Sequence, residues 1–441
     1  MAELSEAESV RRLADRFGFG AGGEGLAALQ QRGYDSVVET LLSPGGTDAG
    51  VHATPDPRLE IPARPAGGKE ADRADRKEFR RQLKAQQLTL TAWWLDRMVQ
   101  AYQPLRERLT WFWHGHFATS VQKVRLAPLM LRQNQTLRSA AVGSFTDLAR
   151  ALIVDPAMLI WLDGNDNTAK APNENLAREF MELFALGHGH YSETDVKEAA
   201  RSLTGWKVNR QTGQAMLRAK QHDDGDKTVL GQTGAFGAED LVAVLLDQQA
   251  SAEFVIGRLW FRLVSVAGPG VATTEKLLAA YGNHGDLSAT LRAIAVTSEF
   301  RDPGTSMVKQ PVEWLVGTAR ALGLTPSELP DKARRRLLVG LRSMGQVPFR
   351  PPSVGGWPAG AGWLTTASTA ARLATARVLA AEADLSTIRQ ASTKSRTEAV
   401  RRLLGVDAFT TRTADAISQV ADRPADAVAL AAVSPEYVVS R

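Results

Sequence analysis

The sequence predicts a mostly α-helical, multi-helix globular protein with at most a small β-hairpin near residues 206–232. Apolar residues recur at the three- and four-residue spacing of amphipathic helices along most of the chain. Gly, Pro, Asn or Asp separate these segments at short intervals, which is typical of helix ends. Strand patterns are rare, and the clearest one, Gln214–Arg218, is placed to pair with Val208 and its neighbours.

The hydrophobic periodicity and the points where it is interrupted divide the chain into four predicted segments. Residues 1–43 form an N-terminal helical segment, with two short helices around a Gly-rich turn, and residues 44–72 predict a Pro/Gly-rich loop or linker. Residues 73–250 form a helical core that carries the polar motifs, and residues 251–441 form a C-terminal helical part that joins it in one compact unit. Residues 70–101 turn from charged to apolar, which predicts a helix with a solvated first half and a buried second half.

Further helices are predicted wherever the periodicity lasts for about two turns. Before residue 250 they are Pro104–Phe117, Leu126–Ser139, Thr146–Ile153, Asn175–Leu186, Thr194–Leu203 and Ala238–Leu246. After it they are Ala252–Ser265, Thr274–Tyr281, Leu287–Thr297, Pro311–Leu322, Lys332–Met344, Thr369–Ala381 and Arg396–Leu404, and the C-terminal end is expected to be helical too. No repeat of fixed period is evident, which argues against a solenoid.

Composition excludes several classes of function. The 53 Lys and Arg against 48 Asp and Glu leave a formal charge of only +5 and no groove-reading motif accompanies it, so no nucleic-acid partner is expected. The absence of Cys excludes disulfides, thiolate zinc sites and a Cys nucleophile. No run approaches the roughly 20 apolar residues of a membrane span. The N-terminus lacks the apolar stretch of a secretory leader, which predicts a cytoplasmic protein as written, or an exported one if a leader was trimmed.

The segment Pro172–Phe184 carries the most informative pattern, because on a helix it separates into an apolar face and a polar one. We call the polar face the polar strip; its members are Asn175, Arg178, Glu179 and Glu182. Glu179 and Glu182 are i,i+3 neighbours, and Arg178 lies i,i+4 before Glu182. Burial would couple their titrations and hold one Glu protonated near neutrality, which is what a general acid needs. The alternative is a solvated face with an Arg–Glu ion pair.

A second polar segment, His222–Thr228, follows the predicted hairpin. A His beside an Asp suits acid–base chemistry, so His222 and Asp223 are candidates for the second side of the site. Lys227 is a candidate for holding an anionic group of the substrate. The segment lacks the alternating ligands and the closing Glu of a calcium-binding loop.

Two histidine pairs have the His-x-His spacing of a metal chelate. His114 and His116 lie among the aromatic residues 111–117, where burial would demand a partner for each imidazole. They are therefore better candidates for a divalent metal than His188 and His190, which lie in a Gly-rich loop. A core His bonded to a backbone carbonyl is the alternative.

Three tryptophans, Trp206, Trp357 and Trp363, are candidates for substrate binding. Trp357 and Trp363 follow the rigid Pro-Pro and Gly-Gly run that begins at Pro351. An exposed Trp face stacks on sugar rings or cations, whereas a Trp beside Pro also serves as a packing plug.

Many ordered pieces of the chain match a single family pattern. They include Arg12–Leu13, Phe17–Gly20, Trp113–His114, His116–Phe117, Asn173–Asn175, Ala177–Glu179, Glu182–Leu183, Leu203–Trp206, His222–Asp223, Lys227–Thr228, Pro311–Glu313 and Gly356–Pro358. Over nearly its whole length the chain resembles the bacterial family known as domain of unknown function 1800. The resemblance implies relatives rather than a reaction, and its members are similar in context to proteins that handle cell-surface or environmental polymers. It favours His114, His116 and His222, which fall within the motifs, over His188 and His190.

Three functions follow as hypotheses. The first is a hydrolase or lyase acting on a polymeric, glycan-like substrate, with Asn175, Arg178, Glu179, Glu182, His222 and Asp223 as the catalytic set and Lys227, Trp206, Trp357 and Trp363 as the binding set. Because neighbouring helix carboxylates lie closer than a glycosidase pair, one Glu would have to work with Asp223 or Asp163. The second is a metal-dependent hydrolase that binds a divalent metal through His114, His116 and His222. The third is a non-enzymatic binding or assembly protein.

Overall fold

Helices make up most of the computed structural model, which describes residues 3–43, 47–67 and 72–440 and confirms the mostly α-helical prediction. Helices α1–α12 are Glu6–Arg16, Gly23–Arg32, Tyr34–Leu42, Ala49–Ala53, Arg73–Gln100, Leu105–His116, Val121–Val124, Ala127–Ser139, Phe145–Ile153, Pro156–Trp161, Asn175–Glu179 and Glu193–Ser202. Helices α13–α24 are Ala238–Leu246, Gln249–Leu263, Val271–Tyr281, Leu287–Ala295, Pro311–Ala321, Asp331–Ser343, Thr366–Glu382, Ser386–Gln390, Arg396–Leu403, Thr411–Ser418, Pro424–Ala432 and Pro435–Val438.

The periodic helices between Pro104 and Leu404 lie within a few residues of their predicted bounds. The helices that the sequence did not reveal, α4, α7, α10 and α20, have only four to six residues. A helix shorter than two turns shows no amphipathic period, so nothing in the pattern distinguishes it from a loop.

The N-terminal segment contains three helices rather than the predicted two. Gly33 ends α2 and opens α3 in a conformation with φ of 77°, which separates two helices that the pattern had joined. Within the predicted loop of residues 44–72, Asp48 accepts hydrogen bonds from the backbone N–H groups of Gly50 and Val51 and so caps α4. Residues 44–46 and 68–71 of that loop lie outside the described ranges.

The longest helix, α5, is solvated over most of its first half and buried from Leu90 onward, as predicted. Its second half, with Trp93, Trp94 and Met98, enters the core. Neither α5 nor any other helix of the described residues combines the length and the apolarity that crossing a membrane requires.

In the part of the chain that the structure describes, six short strands form three separate antiparallel pairs. They are β1 Trp206–Asn209 with β2 Gln214–Leu217, β3 Lys227–Val229 with β4 Gln232–Gly234, and β5 Met307–Val308 with β6 Val439–Ser440. The first pair is the predicted hairpin, with Val208 opposite Ala215. The second hairpin follows the first directly along the chain. The third pair joins the C-terminal end of the chain to the segment before α17, and a contact between such distant residues leaves no local pattern in the sequence.

The buried apolar side chains of the described residues form one connected cluster from Val10 to Val438. Helix α1 is fixed to this cluster through two buried guanidinium groups. Arg12 donates to the carbonyl oxygens of Phe300 (2.6 Å) and Asp302 (2.8 Å), and Arg16 donates to those of Val264 (2.8 Å) and Ser440 (3.1 Å). Burial lowers the pKa of Arg12 to about 10 and that of Arg16 to about 9. The division of the chain into the four predicted segments stays a prediction.

Arg12→Met should destabilise the protein by about 3 kcal/mol, because several backbone acceptors would be left buried without a donor. Urea unfolding followed by circular dichroism measures the loss. Arg80→Met on the solvated half of α5 is the matched control and should change the free energy of unfolding by less than about 0.5 kcal/mol. Equal effects of the two substitutions would contradict the anchoring role of Arg12.

Candidate functional site

The polar strip lies where an α-helix changes into a π-helix. Helix α11 ends at Glu179, and residues Phe180–Ala185 continue as a π-helix, in which the Leu186 N–H donates to the carbonyl oxygen of Met181 (2.8 Å). Phe180 and Phe184 are buried, so the apolar face of the segment enters the core as predicted. Short π-helical turns are rare and occur frequently at functional sites.

Glu179 is half-buried and makes no hydrogen bond or ion pair with any described residue. Burial raises the pKa of its carboxyl group, and the nearby charge of Glu182 raises it further, whereas Arg178 and His188 oppose the shift. The predicted coupling between the two carboxylates is therefore present. Glu179 holds its proton more tightly than an ordinary glutamate does.

Glu182, the other carboxylate of this pair, contacts two side chains of the loop that follows the π-helix. Tyr191 donates its phenolic hydroxyl to Glu182 Oε2 (2.6 Å), and His188 Nδ1 lies 3.2 Å from Oε1. Burial and the bond to Glu182 raise the pKa of Tyr191, so that the phenol stays protonated. The side chain of His188 is 78% exposed, which leaves this part of the site open to solvent.

Arg178 does not pair with Glu182, although its spacing predicted that pair. Its guanidinium group instead binds both carboxylate oxygens of Glu193 (2.8 and 2.7 Å) and one oxygen of Glu174 (3.0 Å). The π-turn changes the register after Glu179, and the first residue of α12 supplies a carboxylate that the sequence spacing could not show. Arg178 therefore ties α11 to α12.

Asn175 also holds the local fold together. Its side-chain amide donates to the carbonyl oxygen of Leu162 (3.1 Å), and its backbone N–H donates to Asn173 Oδ1 (3.0 Å). Asp163, the alternative carboxylate, forms an ion pair with Lys123 (2.7 Å). Neither Asn175 nor Asp163 contacts the carboxylate of Glu179 in the described residues.

His222 and Asp223 lie in the loop that follows the first hairpin. His222 Nδ1 lies 2.9 Å from the carbonyl oxygen of Thr204, which can only accept, so Nδ1 carries the proton of the neutral ring and Nε2 keeps its lone pair. Asp223 accepts from Arg201 Nε (2.8 Å) and Nη2 (3.2 Å), and the bond to Arg201 lowers the pKa of its carboxyl group. Asp223 is therefore a charged partner of Arg201 and not a proton donor.

Lys227 is buried, with 1% of its surface exposed, and its ammonium group donates to the carbonyl oxygen of Asp223 (2.5 Å). Burial lowers its pKa. To bind an anionic group of a substrate, Lys227 would need an exposed ammonium group. In the structure, this group instead forms a hydrogen bond within the 222–228 loop.

The polar strip and the 222–228 loop attach to opposite ends of α12. Arg178 binds Glu193, the first residue of the helix, and Asp223 binds Arg201 near its end. Eight residues separate these two anchors, which corresponds to about 12 Å along the helix axis. In the described residues, no hydrogen bond or ion pair joins Glu179 or Glu182 to His222 or Asp223, and the two-sided catalytic set stays a prediction.

His114 and His116 are buried in the core, and each has one ring nitrogen beside a backbone group. His114 Nε2 accepts from the backbone N–H of Phe349 (3.1 Å), and His116 Nε2 lies 2.9 Å from the carbonyl oxygen of Phe184. Burial lowers the pKa of each imidazole to about 3. Within residues 3–43, 47–67 and 72–440 no group of three His, Asp or Glu side chains is arranged to hold a metal ion, so the predicted site with His222 is not formed.

The tryptophans proposed as a sugar platform do not offer exposed faces. Trp357 and Trp363 are buried, with 5% and 3% of their surfaces exposed, and Trp357 stacks on Trp111 with ring centroids 5.0 Å apart. Gly356, with φ of 80°, lets the loop approach the carbonyl oxygen of Gly115, where a side chain would collide. Trp206 is half-buried at the start of β1. The packing interpretation of Trp357 and Trp363 is therefore correct.

Tyr191 and His188 are the site residues that sequence reasoning missed. Neither residue is in the predicted catalytic, binding or metal set. Gly187 and Gly189 both have φ of 83°, a conformation that turns the loop after the π-helix back toward Glu182. A Gly-x-Gly turn followed by Tyr, directly after a carboxylate-bearing helix, is the signal that could have revealed them.

Residues 12–439 match the model of one protein family, described as Protein of unknown function (DUF1800). The chain belongs to this family. The comparison with curated proteins and the comparison with solved structures found no match. Membership thus confirms the resemblance over nearly the full length and leaves the reaction to be inferred from the site.

Asp223→Asn should destabilise the protein at neutral pH by about 1–2 kcal/mol, because it removes a charge-assisted bond to Arg201. The lowered pKa means that Asp223 stabilises the fold above the pKa of an unfolded-chain aspartate, and that this contribution is lost as the pH falls through the folded-state pKa. Urea unfolding at a series of pH values should show the difference from wild type closing in acid. Asp224→Asn, at an exposed neighbour, is the control; a pH-independent difference for Asp223→Asn would contradict the argument.

Proposed function

We propose that this member of the family is an acid–base enzyme of the hydrolase or lyase type that acts on a polymeric substrate. The observation that carries the proposal is Glu179, a half-buried carboxyl group with a raised pKa and no partner among the described residues. A structural carboxylate normally has its hydrogen bonds satisfied, whereas a general acid or base must keep its reactive atoms free for a substrate.

The neighbours of Glu179 suit this role. Glu182 lies beside it and accepts a short hydrogen bond of 2.6 Å from the Tyr191 phenol. Tyr191 remains protonated and is a second proton donor, so that a base and an acid lie on one face of the segment. A raised pKa makes Glu179 the stronger base once it is ionised.

Of the two reaction types, elimination suits this geometry better. Glu179 and Glu182 are i,i+3 neighbours on one helix face, and they cannot flank a glycosidic bond from two sides as glycosidase carboxylates do. In an elimination, Glu179 would take a proton from carbon, the bond from carbon to the leaving oxygen would break, and Tyr191 would protonate that oxygen. The product would carry a new carbon–carbon double bond.

The openness of the site supports a polymeric substrate. His188 is largely exposed and Glu182 retains 23% exposure, so that a long chain can lie across the segment. Small-molecule sites, in contrast, enclose most of the ligand surface. The burial of Trp357 and Trp363 removes the aromatic platform from the proposal, so a glycan is one polymer class among those to be tested.

A second candidate is a non-enzymatic binding or assembly protein. The observation that favours it is that Asn175, Arg178, Asp223 and Lys227 use their polar groups to join neighbouring segments. In that case the polar strip is a structural network, and each member contributes mainly to stability.

Glu179→Gln separates the two candidates through activity. On a panel of polysaccharides and other polymers, release of reducing ends reports hydrolysis, and ultraviolet absorbance of unsaturated ends reports elimination. On the polymer that the wild type cleaves, Glu179→Gln should lower turnover about 100-fold or more. Glu275→Gln, an exposed glutamate on α15, is the matched control and should keep full activity. Unchanged turnover in Glu179→Gln would exclude the proposed role.

Glu179→Gln should also leave the protein as stable as wild type or make it more stable. When the folded-state pKa of a carboxyl group is raised, the free energy of unfolding falls as the pH rises through that pKa. Gln does not ionise, so the variant does not lose this stability. Thermal melts at neutral and alkaline pH should therefore show an equal or higher midpoint for the variant. A large loss of stability, with no separable activity, would support the second candidate instead.

The raised pKa of Glu179 should fall when its charged neighbour is removed. In Glu182→Gln, the repulsion between the two carboxylates is absent, so the pKa of Glu179 should shift toward that of an ordinary glutamate. Carbon-13 NMR titration of labelled glutamate measures it, with Glu179→Gln identifying the signal. A pKa that does not change would show that burial alone is responsible.

A further inference from the structure

A small cavity of about 20 Å³ lies between α6, α14 and the loop that carries Trp357. Three nitrogen atoms from its wall are buried without a hydrogen-bond partner among the described residues: His116 Nδ1, Arg258 Nε and Trp357 Nε1. Buried polar atoms are nearly always satisfied, so three in one wall indicate a missing bound group.

The charge around this cavity is also unbalanced. Arg258 and Arg262 lie one turn apart on α14, and neither forms an ion pair with a carboxylate of the described residues; Arg262 donates only to the carbonyl oxygens of Trp357 (3.0 Å) and Pro358 (3.4 Å). The third guanidinium group, that of Arg108, already binds Glu313. Burial, together with the nearby charge of Arg258, lowers the pKa of Arg262 to about 10. Arg258 and Arg262 are half-buried, so a cavity beside them is electrostatically favourable for an anion.

A second cavity of about 330 Å³ adjoins the first, since Arg108, Arg262 and Gln310 line both. The inner cavity is large enough for a water-sized group, because one water needs about 10–15 Å³. The outer cavity has the volume of a small-ligand site. An anionic group seated at Arg262 could therefore place one oxygen in the inner cavity and extend into the outer one.

The tautomer of His116 determines which hydrogen bonds a ligand group in the inner cavity must make. Nε2 must carry the ring proton, because it faces the carbonyl oxygen of Phe184, and burial keeps the ring neutral by lowering its pKa to about 3. Nδ1 is then an acceptor, whereas Arg258 Nε and Trp357 Nε1 are donors. An oxygen that accepts from the two donors and gives a proton to Nδ1 satisfies all three.

We propose that these two cavities form an anion-binding site for a phosphate group that retains a hydroxyl, either inorganic phosphate or a small organic phosphate monoester. Hydrogen phosphate supplies negative charge for Arg258 and Arg262, accepting oxygens for the N–H donors and an O–H for His116 Nδ1. Sulfate has the same shape and charge but no O–H near neutral pH, so it would leave Nδ1 unsatisfied. The site is separate from the polar strip and does not depend on the function proposed for Glu179.

Isothermal titration calorimetry of the full chain with inorganic phosphate and with sulfate tests the site. Saturable binding of one phosphate per chain is expected, with sulfate at least about tenfold weaker. Arg258→Met, which keeps the aliphatic stem, should weaken phosphate binding about tenfold or more, while Arg150→Met, on the exposed face of α9, should not change it. Glycerol phosphate that displaces inorganic phosphate would identify the monoester as the ligand form, and failure to displace it would identify the free ion.

A thermal melt of the wild type keeps the test independent of whether Arg258→Met folds. Phosphate should raise the unfolding midpoint above that in sulfate or chloride at equal ionic strength, because it binds only the folded state. Absence of saturable phosphate binding would overturn the proposal and leave the inner cavity to a water molecule. Equal binding of sulfate and phosphate, unaffected by Arg258→Met, would also overturn it, since only an adventitious ion would then be bound.

Discussion

The burial of arginine side chains from helix α1 is the constraint on which the rest of the structure depends. A guanidinium group removed from water must find acceptors in fixed positions, and Arg12 and Arg16 find them in backbone carbonyls hundreds of residues away. These carbonyls lie in turns after α14 and α16 and in the last strand, so the N-terminal helix can pack only once the C-terminal part has folded. Lys309 and Asp15 reinforce the same junction with a buried ion pair of 2.9 Å.

The same principle orders the middle of the chain on a smaller scale. Helix α12 packs Val196, Ala199 and Ala200 into the core, and ion pairs near its two ends hold it against α11 and against the 222–228 loop. Arg178 and Asp223 form these ion pairs within the fold, and the pairs fix the positions of the neighbouring segments. The carboxylates of Glu179 and Glu182 remain beside the π-turn, at the edge of this framework, where they are held in place without being neutralised by a cation.

The sequence predicts the parts of this structure that depend on local repetition. Helices of two turns or more, the solvated and buried halves of α5, and the hairpin of Val208 with Ala215 all follow from spacing. Partnerships across long distances do not, because the i,i+4 pattern that joined Arg178 to Glu182 says nothing about Glu193 on the next helix. The tryptophans show the same limit, since Trp357 beside Pro358 is compatible with a platform or a plug, and only the position of Trp111 decides between them.

Unsatisfied polar groups, rather than polar groups as such, are what distinguish function from support in this protein. Asp223, Lys227 and Arg178 were attractive candidates by residue type, but each has its hydrogen bonds completed within the fold. Glu179 and Arg258 have none among the described residues, and each remains in an unfavourable environment that folding alone does not require. Elsewhere in the described residues, buried charges such as those of Arg12 and Arg16 have carbonyl or carboxylate partners, and substrates or ions are the partners that could complete these two. The two positions are therefore where chemistry and binding should be sought first.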